Sequence, residues 1–495
     1  MKKNRYEIIV FFCGAMSMAL ELVAARIFSP YVGSSNLVWT TIIGMILIFM
    51  SLGYSVGGKK ADKDPDIKIL KMLLMISIIY VAILPFLEEM ILKPFAGLKL
   101  PLVVTAIIMS VLLFGFPSFT FAFASPLSVK LKQIEEKEKD NVGEISGRMS
   151  SWSTIGSILG TFLTGFLLIP VIGTSGIMIL ILVVLTLLVL FLEESFTLKK
   201  SLAYLLFIVS VAAVFMTGRY LMKIDNPEIL KDVDSEYSRI QIKEMNTIYG
   251  ETLKYMQVGN VGAESLRFTE SGKISDYLYY YDLLEYYLEE NSGNILMIGG
   301  AAYTYPTYFY GLEKNKEKTM DVVEIDEVMT KLAVENFNLD LSNEKLNVVH
   351  QDGRSYINYT DEKYDAILVD AFKGMYAPYE LTTLEAAQRM YDILNENGLV
   401  ITNVISSLEG KDAKFMKHEY ATYKEVFDDV KVFTVNYHGD EHKEKEQNII
   451  LLGIKGKLDI NHSVEDEYTK LLDTEVFGYE SDYDIVTDNL AQIGD

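Results

Sequence analysis

The sequence predicts two structures in one chain, an α-helical transmembrane bundle and an α/β domain with a Rossmann-like, doubly wound sheet, with a small antiparallel β domain between them. Three observations predict this. Half of the 495 residues are hydrophobic, and the long apolar runs all lie before Met222. Charge divides at the same place: 19 Lys and Arg stand against 14 Asp and Glu up to Met222, and 26 against 53 beyond it, together a formal charge of −22. Beyond residue 226, β-rich stretches and then alternating strands and helices replace the apolar runs. The expected boundaries are 1–222 for the bundle, 226–275 for the β domain and 276–495 for the α/β domain.

Apolar runs long enough for a ~30 Å hydrocarbon core occur at 6–28, 37–57, 69–87, 101–127, 150–171, 174–192 and 201–219, which predicts seven spans. The first run could pass for a signal peptide, but it is long and carries Glu21 and Arg26, so it is expected to stay in the membrane. Arg26 is expected to reach the interface while Glu21 bonds inside the bundle, or the two mark a polar site there. Gly156, Gly160 and Gly165 stand at spacings suited to close helix packing. Residues Gly53–Lys63 resemble the basic, Gly-rich loop between the second and third helices of major-facilitator transporters.

The basic residues gather at the N-terminus and in the 58–71, 128–149 and 193–200 loops, which places those segments in the cytoplasm. A multi-pass protein of the cell membrane is expected, in contact with the lipid bilayer. With seven spans the α/β domain falls outside the cell. With a count different by one, for instance through a break at Pro117 in the long fourth run, it falls inside, where a nucleoside ligand would be found.

Composition also excludes. The acidic second half offers no basic patch for a phosphate backbone, so no nucleic acid partner is expected. The single Cys13 permits no internal disulfide, and five scattered His residues give no metal site.

In the second half, residues 237–243, 252–258 and 265–268 read as an antiparallel meander, and 276–290 as a Tyr-rich helix. Strands are expected at 294–298, 319–323, 346–349, 365–369 and 399–404, separated by helices. In such a sheet, ligands bind at the carboxyl ends of the strands. The first strand runs into Gly299-Gly300-Ala301-Ala302, where a backbone can approach a ligand closely. The second, Asp321–Asp326, ends in acids, Glu324 and Asp326 among them, at the position where a carboxylate can take the hydroxyls of a ribose. The third leads to Asp352-Gly353, suited to an adenine edge, although a turn or cap is the commoner role of such a pair. The fourth delivers Asp370, which either caps the following helix or orients and deprotonates an attacking amine.

These strand ends resemble those of spermidine synthases, aminopropyltransferases with a methyltransferase-like fold behind a small β domain. The whole chain is similar to membrane-fused spermidine synthase-like proteins. The likeness rests on Glu21 to Arg26, Gly33–Trp39 and Leu167–Pro170 in the first half, and in the second on the strand ends, Asp370–Gly374, Pro378–Thr383 and Thr487-Asp488. The resemblance implies S-adenosylmethionine or its decarboxylated form as substrate, with no metal. Glu324 would hold the ribose and Asp352 the adenine amine. Gly299, Gly300 and Ala301 would flank the methionine part, with Gly353 beside the adenine, Asp370 as the catalytic acid, and Asp276 and Tyr280 lining the substrate channel.

Two departures stand out. The turn after the first strand lacks the acid of the family's Gly-Gly-Gly-Asp-Gly-Gly pattern, and Lys373 replaces a second acid three residues beyond Asp370. A cation there repels a polyammonium substrate. The expected activity is release of 5′-methylthioadenosine, with aminopropyl transfer to a small amine or lyase-type breakdown. The alternatives are a methyltransferase, or a polyamine transporter or sensor whose soluble domain only binds ligand. The chain could also form a homodimer.

Overall fold

The computed structural model describes residues 4–488 except 33–35, 88–101, 137–140, 194–197, 225–227, 249, 260–264, 289–292, 372–377 and 458–464. It divides into two compact units, Met1–Gln241 and Ile242–Asp495.

The first unit contains α1 (Arg5–Val32), α2 (Asn36–Lys63), α3 (Ile67–Leu87), α4 (Leu102–Glu136), α5 (Val142–Leu163), α6 (Ile169–Phe191) and α7 (Leu198–Ile224). Among the described residues, five segments rather than the seven expected are long and apolar enough to cross a membrane. The fifth and sixth runs form one segment, Val142–Phe191, in which a π turn at Thr164–Leu168 joins α5 to α6 and Gly173 breaks α6 near its start. The described apolar part of the seventh, Ala203–Thr217, is shorter. Fifty residues would make a straight helix of roughly 75 Å at 1.5 Å per residue, far more than one crossing needs. Gly173 divides it, with φ 65° and ψ 177°.

Close approach explains two of the three glycines singled out in this run. A Cβ on Gly156 would lie 2.0 Å from the Phe11 carbonyl oxygen, and one on Gly160 2.4 Å from that of Ala15, so α5 lies directly against α1. Gly165 sits in the π turn with open space beside it and takes no part in this packing. Residues 53–63 are the last turns of α2 and not the loop expected there. Gly53 serves helix packing instead, because a Cβ would meet the Phe119 carbonyl oxygen of α4 at 2.3 Å.

Charged side chains near the helix ends pair with one another. Lys71 pairs with Glu193, Lys130 with Asp62 at 3.4 Å, and buried Lys132 with Glu7 at 3.4 Å and Glu136 at 3.1 Å. All of these lie at the end of the bundle that holds the N-terminus. At the other end Arg26 donates to the main-chain carbonyls of Ser235, at 3.1 Å, and Glu236. It therefore lies where the chain leaves the helices.

A four-stranded sheet follows in the order β1 (Ile229–Asp234), β2 (Arg239–Asn246), β3 (Thr252–Val258), β4 (Ser265–Phe268). β1 completes the expected meander. The expected Tyr-rich helix is instead a 3₁₀ segment, Asp276–Leu283, with one α turn, α8 (Leu284–Tyr287). Tyr and Asp are indifferent helix formers, and here the packing of Tyr280 and Tyr281 into the core decides the winding.

The large sheet has β5 (Asn294–Ile298), β6 (Thr319–Val323), β7 (Leu346–Val349), β8 (Tyr364–Val369), β9 (Leu394–Ser406), β10 (Asp429–Thr434) and β11 (Gln447–Ile454), in the order β10-β11-β9-β8-β5-β6-β7. β5 to β9 pair in parallel, as expected, while β10 and β11 form an antiparallel extension that the alternation did not announce. Its helices are α9 (Thr304–Gly311), α10 (Glu327–Asn336), α11 (Gly353–Tyr359), α12 (Leu384–Ile393), α13 (Lys414–Val426) and α14 (Glu465–Leu472). Apolar side chains from alternate strand positions fill two cores, one on each face: Ile295, Met297 and Leu368 on one, Leu296, Ile298 and Ile367 on the other. This two-faced burial is what makes the parallel strands predominantly apolar in sequence.

Candidate active site

The order of the sheet puts the ends of β5 and β8 side by side, and that adjacency builds the crevice. Asp370 N–H donates to the Ile298 carbonyl at 2.8 Å, and Gly299 N–H to that of Val323 at 2.9 Å. Gly299 adopts φ 94°, and a Cβ on it would lie 2.3 Å from the Asp370 carbonyl oxygen. Only glycine fits there. Ala301 (φ 43°) and Tyr303 (φ 53°) continue the turn in the left-handed region that side chains disfavour.

Glu324 holds this turn. Its Oε2 accepts from the N–H groups of Gly300 and Ala301, both at 2.9 Å, and its Oε1 from Asp326 N–H at 2.9 Å. Burial raises the carboxyl above its ordinary value, and these backbone donors pull against that rise. A carboxylate has about four acceptor positions, and three are used here. Glu324 can take one further hydroxyl as it stands; a second requires a turn amide to be released.

Asp352 is exposed and caps α11 by accepting from Ser355 N–H at 2.8 Å. Gly353 lets that helix rest on the sheet, because a Cβ would lie 2.6 Å from Ile298 Cγ2.

Asp370 lies at the centre of the crevice. Its Oδ2 accepts from the Tyr277 hydroxyl at 3.0 Å and its Oδ1 from Asn403 Nδ2 at 3.1 Å. Asn403 Oδ1 in turn accepts from Asn448 Nδ2 at 2.9 Å. Burial pushes the Asp370 carboxyl up to about 6, against the pull of the Asn403 and Tyr277 hydrogen bonds. Fully buried Tyr281 lies close to Asp370; burial first, and then the Asp370 charge, raise its phenol.

Asp276 and Tyr280 do not meet Asp370. Asp276 is exposed, and the Tyr280 hydroxyl donates to the Thr434 carbonyl at 2.9 Å. Tyr277, next in sequence to Asp276, makes the contact instead. A signal for Asn403 was present in the sequence, because Thr402-Asn403 interrupts an otherwise apolar run in β9. Lys373 lies outside the described residues.

The other motifs converge on Arg354, which donates to the Glu380 carbonyl and to Thr383 Oγ1, both at 3.1 Å, and pairs with Asp488 at 2.9 Å. Thr383 also donates to Asp488 at 2.7 Å. These residues tie the C-terminal segment to α11 and α12.

Among known proteins, residues 285–438 match the family model described as spermine/spermidine synthase domain. The polyamine aminopropyltransferase of Vibrio vulnificus (strain CMCP6) is 35% identical over 136 residues, which are 27% of this chain and 43% of that protein. The polyamine aminopropyltransferase of Clostridium beijerinckii (strain ATCC 51743 / NCIMB 8052) is 26% identical over 214 residues, 40% of this chain and 74% of that one. The chain thus spans less than half the length of the first of these relatives. A probable spermidine synthase from Corynebacterium glutamicum ATCC 13032 superposes over 52% of this chain and 97% of its own, with a TM-score of 0.40 and 19% identity.

Proposed function

We propose, from the premise that residues 285–438 form a spermine/spermidine synthase domain, that the chain is a membrane-bound transferase acting on S-adenosylmethionine or its decarboxylated form and releasing 5′-methylthioadenosine. The observation that carries this reading is Asp370, a carboxyl near pKa 6 held by Tyr277 and Asn403 beside the Gly299 turn.

In the proposed reaction an amine nitrogen attacks the carbon next to the sulfonium. The C–N bond forms as the C–S bond breaks, its electron pair stays on sulfur, and a neutral thioether leaves. The amine proton passes to Asp370, whose carboxylate is well suited to neutral pH. Aligning nitrogen, carbon and sulfur is the main task, since the sulfonium is already a good leaving group. Glu324 would take a ribose hydroxyl and Asp352 the adenine amine. Lys373, standing where spermidine synthases carry an acid, favours an acceptor of low positive charge, or breakdown without one.

We further propose that the bundle spans the membrane with its basic end in the cytoplasm. The chain beyond Ile224 then departs on the opposite side. The pairing of helix ends supports this, because Lys71, Lys130, Lys132 and Arg148 share one end while Arg26 and Ser235 meet at the other.

The test is incubation of the full chain with each nucleoside, with and without putrescine, and mass spectrometry of the products. Methylthioadenosine supports the proposal. S-adenosylhomocysteine would make the protein a methyltransferase, and unreacted nucleoside in every arm would reject catalysis of either kind.

A further inference from the structure

The break at Gly173 opens onto a cavity of about 300 Å³ within the Met1–Gln241 unit. Leu84, Pro85, Val171, Ile172, Met178 and Phe215 give it an apolar wall. Four charged residues, Arg26, Asp232, Asp234 and Arg239, also line it. Arg239 is bound to Asp232 through two hydrogen bonds of 2.8 and 2.7 Å, and Arg26 donates to the Ser235 and Glu236 carbonyls.

Asp234 differs. Its Oδ2 accepts from Thr174 N–H at 2.8 Å, satisfying the first amide after the helix break. Its Oδ1 is buried and has no hydrogen-bond partner. A buried carboxylate oxygen left without a donor is costly, and a cationic N–H donor removes that cost most fully.

We propose that this cavity binds the ammonium group of a small aliphatic amine, with Asp234 Oδ1 as acceptor and the apolar wall around the methylene groups. The site is separate from the Asp370 crevice and does not depend on the transferase reading. Its volume is at the small end of ligand pockets, which suits a single short chain.

The test is calorimetric titration of the full chain in nanodiscs with n-butylamine. Saturable binding is expected, at least about tenfold weaker in Asp234→Asn, which keeps an oxygen for Thr174 but loses the charge. Asp370→Asn should bind as tightly as the unmodified chain. Should Asp234→Asn fail to fold, Ile172→Trp fills the cavity while leaving the carboxylate, and it too should lose the amine. The proposal is overturned by absence of saturable binding, by undiminished binding in Asp234→Asn or Ile172→Trp, or by loss of the whole signal in Asp370→Asn, which would move the amine to the α/β domain.

Discussion

The Tyr277 hydroxyl donates to Asp370 Oδ2 at 3.0 Å, so a residue of the 3₁₀ segment before the large sheet reaches the end of its fourth strand. This bond favours the carboxylate, and without it the carboxyl pKa rises above its present value near 6. A base works deprotonated, so activity should increase with pH through about 6. In Tyr277→Phe that rising limb should move to higher pH, as read from kcat/KM between pH 5 and 9. An unmoved limb would mean that the titrating group is not Asp370.

Asp370→Asn preserves shape and removes the charge. Turnover should fall on the order of 10²-fold or more while nucleoside affinity changes less than about threefold. Asn caps helices about as well as Asp, so a mere cap would leave turnover normal. In that case lyase-type breakdown becomes the better account.

Gly299→Ala places a methyl group 2.3 Å from the Asp370 carbonyl oxygen at φ 94°. Strain of this kind costs about 1–3 kcal/mol. The thermal midpoint of the full chain should fall, and nucleoside affinity with it. An Ala variant as stable as the parent would show that the two strand ends are not packed this closely.

Asp352 has two roles to separate. Asp352→Ala should cost about 0.5–2 kcal/mol for the lost cap and weaken nucleoside binding at least about tenfold. Asp352→Asn restores the cap alone. Full nucleoside affinity in the Asn variant, measured by calorimetry, would leave Asp352 a cap and nothing more.

The fold was legible where burial has two faces. The strands from Ile295 to Val369 are mostly apolar because both sides of the sheet are covered, and their strand-end residues Gly299, Glu324, Asp352 and Asp370 could be read directly. The partners were not legible. Tyr277 and Asn403 come to Asp370 from segments 93 residues before and 33 after it, and only the pairing of β8 with β9 and the 3₁₀ winding bring them together. The break between the fifth and sixth apolar runs was legible as the gap between 150–171 and 174–192, and Gly173 lies in that gap with a left-handed backbone that divides Val142–Phe191.

Glu419 on α13 is 2% exposed, and its Oε1 has no hydrogen-bond partner. Burial raises its pKa well above the ordinary value. As pH rises past that ordinary value the unfolded chain gives up this proton and the folded chain keeps it. Stability is therefore lost with increasing pH, by up to about 1.4 kcal/mol per unit. Glu419→Gln should flatten the decline between pH 5 and 8 in thermal denaturation of the full chain. Parallel curves for the two proteins would show that Glu419 does not carry it.

The sidedness proposal can be tested in intact cells. Ile248 is 94% exposed, and the native Cys13 is buried. Ile248→Cys should react with a membrane-impermeant maleimide, whereas Lys59→Cys should react only after the cells are opened. The reverse pattern would put the α/β domain in the cytoplasm.

The order of the large sheet also constrains how the chain matures during synthesis. β5 is made first yet lies inside the sheet, between β6 and β8, so assembly spreads outward from it in both directions. β10 is the exception, because it joins only through β11, which is made after it and inserts between β10 and β9. Until Gln447–Ile454 has left the ribosome, β9 keeps an open edge and β10 has no sheet to join. A nascent chain paused between Thr434 and Gln447 exposes the open edge of β9 and the unpaired β10 at once, a state prone to sticking to its neighbours.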